Sequence, residues 1–322
     1  MTMQEDRIKS LEFNHPEYIP ISVGILPAAW IKYREGLDEI AARHPVLFEA
    51  YKQGDRDYDA VGGTYVAGDH VDVWGCVWSN IKTGRESIVK GHPLPTREAV
   101  RSLKMPEEDA GFPHGFMYLR LGDLRGFEEI MLDFAEEPPE LVKLIDTVLA
   151  YNMRQIPKRL AELREQGAQI AHFGDDLGMQ TSLPISPAKW RKFLKPCYCQ
   201  IYQPFREAGY YVYMHTDGHI VEIIPDLVDC GVNVVNPQVR ANGLDNLAAV
   251  CKGKVCVDLD LDRQMFPFCT PQDIDDHVRE AVVKLGSPAG GLWLKAEISD
   301  DIPLENIDAI FAALETYRAY YS

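Results

Sequence analysis

No apolar run in this chain approaches the roughly 20 residues that a membrane-spanning helix requires, so no such helix is expected. The N-terminal stretch MTMQEDRIKSLEF is charged and has no apolar core, which argues against a signal peptide. Three signatures of nucleotide binding and nucleophilic catalysis are also missing. There is no GxGxxG, no GxxxxGK[ST] and no GxSxG, so neither a nicotinamide cofactor nor a P-loop nor a nucleophile elbow is indicated. Positive charge is scarce: 33 Lys and Arg stand against 49 Asp and Glu, for a net −16 at pH 7. That sum repels a phosphate backbone or an anionic bilayer, so neither nucleic acid nor membrane is an expected partner. The seven cysteines (76, 197, 199, 230, 251, 256 and 269) are odd in number and form no CxxC pair. Such usage suggests reduced thiols in a cytoplasmic protein. Cys197 and Cys199 lie two apart on an expected helix, point in different directions and read as packing residues.

What is present is a repeated grammar. The stretch Tyr210-Tyr211-Val212-Tyr213-Met214-His215-Thr216-Asp217-Gly218 is an apolar strand that ends in an imidazole, a carboxylate and a glycine. Segments 168–176 (AQIAHFGDD), 232–238 (VNVVNPQ), 254–262 (KVCVDLDLD) and 291–299 (GLWLKAEIS) are likewise strand-like runs with polar or ionisable residues in their C-terminal halves. Parallel strands covered on both faces read as continuous apolar runs, and functional groups gathered at their C-terminal ends mark a (β/α)₈ TIM-barrel active site. The 322 residues hold no linker or charge block, so one domain over 1–322 with an N-terminal elaboration is expected.

Strands are expected at 18–24, 71–78 and 116–121, with an irregular excursion over 79–112. Pro138-Pro139 opens a long helix that Pro157 should kink or restart. Ser186-Pro187 opens a second, running to Gly209, which Pro196 and Pro204 should bend or interrupt. Strand and helix then alternate: strands at 210–216, 232–236, 254–260 and 291–297, helices at 219–229, 243–251, 271–286 and 304–320.

Residues two apart on a strand share a face. Tyr211, Tyr213, His215 and Asp217 form one such set, and Trp293, Lys295 and Glu297 another. His172, Gly174 and Asp176 form a third, and Cys256, Asp258 and Asp260 a fourth. If these faces point into a barrel mouth, imidazole, ammonium and several carboxylate groups converge. Such a group suits a divalent metal, since His nitrogen and carboxylate oxygen both bind Zn²⁺; alternatively, its acids hold raised pKa values and donate protons. The candidate metal ligands are His215 and Glu297 with Asp217 or Asp176. Asp176, His215 and Lys295 are the candidate catalytic groups, and Asp175 reads as a helix cap. Trp74, Trp78, Tyr211 and Tyr213 suit an aromatic pocket wall, and Asn236, Gln238 and Asp262 the rim of the mouth.

Asp175-Asp176-Leu177-Gly178-Met179-Gln180, Ile185-Ser186-Pro187 and Trp190-Arg191, followed by His215-Thr216-Asp217-Gly218, Asn236-Pro237-Gln238, Asp262-Arg263-Gln264 and Ile302-Pro303-Leu304, resemble the uroporphyrinogen decarboxylase superfamily. Pro16 to Pro20 extends the resemblance over nearly the whole chain. It implies a (β/α)₈ barrel and one of two chemistries, metal-free decarboxylation of a porphyrinogen or methyl transfer involving a corrinoid protein, usually with zinc. The decarboxylases carry an arginine-rich N-terminal motif for the substrate's carboxylates; here the corresponding region is Val23-Gly24-Ile25-Leu26-Pro27-Ala28-Ala29-Trp30, and its first arginine is Arg34. Thiol-activating methyltransferases of the superfamily resemble a His-x-Cys-Gly pattern with a second cysteine on the last strand. Here Asp217 and Glu297 stand in those places. The resemblance therefore implies transfer of a methyl group from a small donor, a methoxylated aromatic first among them, to the cobalt of a corrinoid protein. A decarboxylase acting without metal is the alternative, and a non-catalytic assembly barrel a third reading that the converging ionisable groups oppose.

Overall fold

The computed structural model describes residues 3–322; Met1 and Thr2, at the head of the charged N-terminus, lie outside the described residues. Among the described residues nine strands form: β1 (Ile21–Ile25), β2 (Gly68–Val71), β3 (Val77–Asn80), β4 (Ile88–Gly91), β5 (Ile170–Gly174), β6 (Tyr211–Thr216), β7 (Val232–Pro237), β8 (Cys256–Asp260) and β9 (Leu292–Ile298). The chain divides into two compact units, residues 1–68, 80–87 and 238–322 in one and 69–79 and 88–237 in the other.

In the first unit β9 pairs in parallel with β1 on one side and with β8 on the other. Leu294, Ala296 and Ile298 of β9 are fully buried, as are Cys256 and Leu259 of β8. Helices Pro271–Leu285 and Leu304–Tyr317 pack on one another, and the latter also packs on Pro27–Arg43 and on β9. Thr270 opens the helix Pro271–Leu285 with a reciprocal capping box to Asp273, and proline fills the first turn, where its missing N–H costs nothing.

The second unit holds the parallel strands β5, β6 and β7 with β6 in the middle. Val212, Met214, Val234 and Val235 are fully buried. Helix Pro139–Glu165 packs on helix Lys195–Glu207, which covers β6. Architecture is thus α/β with parallel strands in each unit. No described helix is long and apolar enough to cross a membrane.

Several sequence expectations need correcting. The expected strand at 116–121 is instead the start of a helix, Tyr118–Arg125. The Asp175 carboxylate accepts the N–H groups of Met117, Tyr118 and Leu119, supplying from a distant residue the acceptor a first helical turn lacks. The expected strand at 71–78 is broken: Asp72 accepts N–H groups from Trp74 and Cys76, and this turn separates β2 from β3, which pairs antiparallel with β4. Pro157 does not divide its helix, which runs unbroken over Pro139–Glu165. The second helix, by contrast, is interrupted where expected, at Leu194 just before Pro196, into Pro187–Phe193 and Lys195–Glu207, and Pro204 lies inside the latter. The thiols are not all reduced either. Cys199, on Lys195–Glu207, is bridged to Cys230, which ends the helix Ile224–Asp229; packing of these helices brings together cysteines 31 residues apart.

Candidate metal centre

Strand register builds the site in the second unit. Gly174 at the end of β5 lies beside His215 of β6, and His215 lies beside Asn236 of β7. The His215 Nδ1 and the Asn236 Oδ1 are 2.6 Å apart. Since the amide oxygen only accepts, this arrangement puts the proton on Nδ1 and turns the Nε2 lone pair to the site.

The loops after β5 and β6 are clamped together. Asp217 donates its N–H to Asp176 Oδ1 (2.9 Å), Leu177 donates to the Thr216 hydroxyl (2.9 Å), and Gly178 donates to the Asp217 carbonyl (3.2 Å). His219 N–H closes the clamp on the Met179 carbonyl at 2.7 Å. Gly178 and Gly218 are the crossing point. A Cβ at Gly218 would fall 2.2 Å from the carbonyl carbon of Gly178, and Gly218 has φ +81°, a conformation that side chains disfavour.

Into this frame comes His114, 62 residues before Asp176. Its Nε2 lies 3.1 Å from Asp176 Oδ2, and His215 Nε2 lies 3.8 Å from Asp176 Oδ1 and 3.4 Å from Asp217 Oδ1. One ligand atom each from His114, Asp176 and His215 lies within 4.8 Å of the others. The His114 side chain is 49% exposed, against 27% for Asp176 and 25% for His215, so the cluster is open on the His114 side. Burial pushes the Asp176 carboxyl up, but the His114 hydrogen bond and charge, the Asp217 N–H and His215 outweigh it, and the carboxyl sits below its usual range. Burial lowers the His114 imidazole, and the bond to Asp176 more than restores it, leaving it raised. A carboxylate held ionised between two imidazoles is a donor set suited to a divalent cation.

The structure thus brings His215, Asp217, Asp176 and Asn236 together and adds His114. Nothing in the apolar pattern marked His114; its one signal is the turn Pro113-His114-Gly115, between an expected excursion and an expected strand. Asp175 is a cap, though of helix Tyr118–Arg125 rather than of the segment after it. Tyr213 is buried with its ring 4.6 Å from that of His172. Trp74 packs edge-on against Tyr151 (4.8 Å), and the Trp78 indole N–H donates to Asp72. Gln238, Asp262, Lys295 and Glu297 belong to the first unit. There Glu297 is ion-paired with Arg263, Asp262 accepts from Arg240 (2.7 Å), and Gln238 forms a parallel bridge with Asp260. Lys295 lies on β9 beside Ser22 of β1.

Residues 116–317 match the family model for uroporphyrinogen decarboxylase (URO-D). No curated protein matches the chain. Among solved structures, dihydropteroate synthase from Xanthomonas albilineans is similar at 15% identity over 47% of this chain and 52% of that one, with a TM-score of 0.31. A B12-independent methionine synthase from Shewanella is similar at 12% identity over 54% of each chain (TM-score 0.37). The dihydropteroate synthase of Burkholderia cenocepacia is similar at 11% identity over 44% of this chain and 53% of that one (TM-score 0.30). The chain spans about half the length of these structures, and likenesses so distant carry no functional argument.

Proposed function

The chain belongs to the uroporphyrinogen decarboxylase family, and from that premise we propose that it is a metal-assisted methyltransferase, a single-domain (β/α)₈ barrel. It moves a methyl group from a small donor, a methoxylated aromatic first among them, to the cobalt of a corrinoid protein. The observation that carries this reading is the His114–Asp176–His215 cluster. Two nitrogens and one oxygen from three side chains are a set that catalytic zinc accepts, with a position left for substrate. Zinc held by these three side chains would supply a Lewis acid for the donor's oxygen, with no thiolate in the set to donate density and blunt it.

The chain's own residues do the rest. Asn236 turns His215 Nε2 to the site, and the Asp217 N–H fixes one oxygen of Asp176 while the other faces His114. Asp176, held ionised, would serve as a ligand, and Asp217, 3.4 Å from His215 Nε2, is placed to steer a proton. In the transfer the methyl carbon exchanges its bond to oxygen for a bond to the partner's reduced cobalt, and the released oxygen takes up a proton.

Elemental analysis of the purified protein should find one zinc per chain, nearly all of it lost in His215→Ala and in His114→Ala while the fold persists. Mixing the zinc protein with reduced corrinoid protein and a methoxylated phenol should convert the cobalt spectrum to the methylated form. Full zinc occupancy in His215→Ala would remove the site. The second reading, decarboxylation, is favoured by the description of the matched family. Arg34, the arginine nearest the usual carboxylate-binding motif, is already paired with Asp59 at 3.0 Å, which opposes it. Carbon dioxide release from a carboxylated substrate by metal-free protein, with no spectral change across a panel of methyl donors, would establish decarboxylation instead.

A further inference from the structure

His114 lies on a loop, half-exposed, three residues before the Met117 that precedes a helix, and no strand or helix of its own holds it in place. What holds it is found one residue before Asp176. The Asp175 carboxylate is fully buried and accepts four hydrogen bonds: Oδ2 from the N–H of Met117 (3.1 Å), the N–H of Tyr118 (2.5 Å) and the hydroxyl of Tyr198 (2.7 Å), and Oδ1 from the N–H of Leu119 (2.9 Å). Met117, the residue before helix Tyr118–Arg125, makes no side-chain cap of its own, so these N–H groups depend on Asp175. Charge-assisted bonds of this kind, in a buried place, are strong and directional. Two further contacts carry the position back to His114. Gly115 donates its N–H to the carbonyl of Gly174 (2.8 Å), and a Cβ at Gly174 would fall 2.7 Å from His114 Nδ1, so the ring occupies space that only glycine leaves.

We propose that Asp175 is the positioning residue for His114, so that one dipeptide serves both sides of the cluster: Asp176 as ligand, and Asp175 as anchor of the segment that delivers the opposite ligand. This rests on the metal reading above for its first readout and is independent of it for its second. The Asp175 side chain stays out of the cluster and acts through three backbone N–H groups.

The first readout is zinc affinity of the full chain, measured by competition with a chromophoric chelator. Asp175→Asn keeps one acceptor oxygen and should weaken zinc binding about 10–100-fold, the scale of an outer-shell loss. In a His114→Ala background the same substitution should cost nothing further, because the ligand it positions is gone. A multiplicative loss in the double variant, or unchanged affinity in folded Asp175→Asn, overturns the proposal. Should Asp175→Asn fail to fold, Tyr198→Phe withdraws one donor only; it should give a smaller loss, again absent in His114→Ala, and a loss that persists there counts against the proposal. The second readout is amide hydrogen exchange at residues 115 and 117–119. Exchange there should accelerate in whichever of the two variants folds, while amides of β5 and β6 stay protected. If the wild-type protein binds no zinc, the proposed function fails, and exchange alone then decides; unchanged protection at 115 and 117–119 overturns the role of Asp175.

Discussion

Asn236 shows how much one side chain can decide. It is fully buried on β7, and the register of β6 and β7 places it beside His215, where its oxygen accepts a hydrogen bond from the Nδ1–H. An imidazole offers one lone pair, and the partner on the other nitrogen selects which one. Asn236→Leu, similar in size and without an acceptor, should lower zinc affinity about 10–100-fold. Asn236→Asp keeps an acceptor on the same spot and should retain most of that affinity. Chelator competition, with circular dichroism as a check on folding, reads both; equal affinities for the two variants would remove the tautomer from the account. The sequence marked Asn236 as a rim residue. It could not reveal the bond to His215, because register between strands 21 residues apart is a tertiary fact.

At the scale of elements, two features of the second unit are open to test. The first is the clamp between the loops after β5 and β6. Gly218→Ala would press a methyl group into the Gly178 backbone and strain φ, so it should destabilise the protein by about 1–3 kcal/mol or more and loosen Asp176 from Asp217. Urea unfolding and zinc content should fall together; a variant with wild-type values for both would show that the clamp yields freely. The second is helix Tyr118–Arg125. Burial pushes its Asp123 carboxyl up to about 6 from 3.8, with Asp175 and Asp72 acting in the same direction and Arg120 and His92 against. A carboxyl raised on folding stabilises below its unfolded pKa, and that contribution is lost as pH rises through the folded value. The loss is of order 3 kcal/mol at most by pH 7. Asp123→Asn should therefore be more stable than wild type near neutral pH, with a flatter profile between about pH 4 and 7 in urea titrations. A less stable variant near pH 8 would mean that the Arg120–Asp123 pair, 3.7 Å apart, outweighs burial.

At the scale of the whole molecule, stability has a covalent component. The Cys199–Cys230 bridge closes a loop with a sequence separation of 31. Chain-entropy arithmetic for a loop of that length gives roughly 3–4 kcal/mol at 25 °C. Reduction, or Cys199→Ser, should lower the unfolding midpoint accordingly, read by urea denaturation with and without a thiol reductant. The other cysteines, at 76, 197, 251, 256 and 269, are free, and burial raises the thiol pKa of each, so they remain inert thiols at neutral pH. An unchanged midpoint on reduction would show that the bridge contributes nothing beyond packing.

The sequence by itself determined the α/β class and the position of six parallel strands. Apolar, β-branched runs bounded by turn residues satisfy their own local preference and must be covered on both faces. It also marked the chemistry of their ends, since Asp176, His215 and Asp217 interrupt apolar runs where a strand gives way to a loop. Tertiary structure decided the rest, in each case because a partner lies far along the chain. Residues 118–125 have an apolar pattern that fits strand or helix, and the acceptor that makes them a helix is Asp175, 57 residues beyond Tyr118. His114 becomes a candidate ligand only because that helix start, the carbonyl of Gly174 and the missing Cβ of Gly174 hold its ring against Asp176. Local preference acts over a few residues. A site assembled by hydrogen bonds across dozens of residues is specified only once the strands have paired.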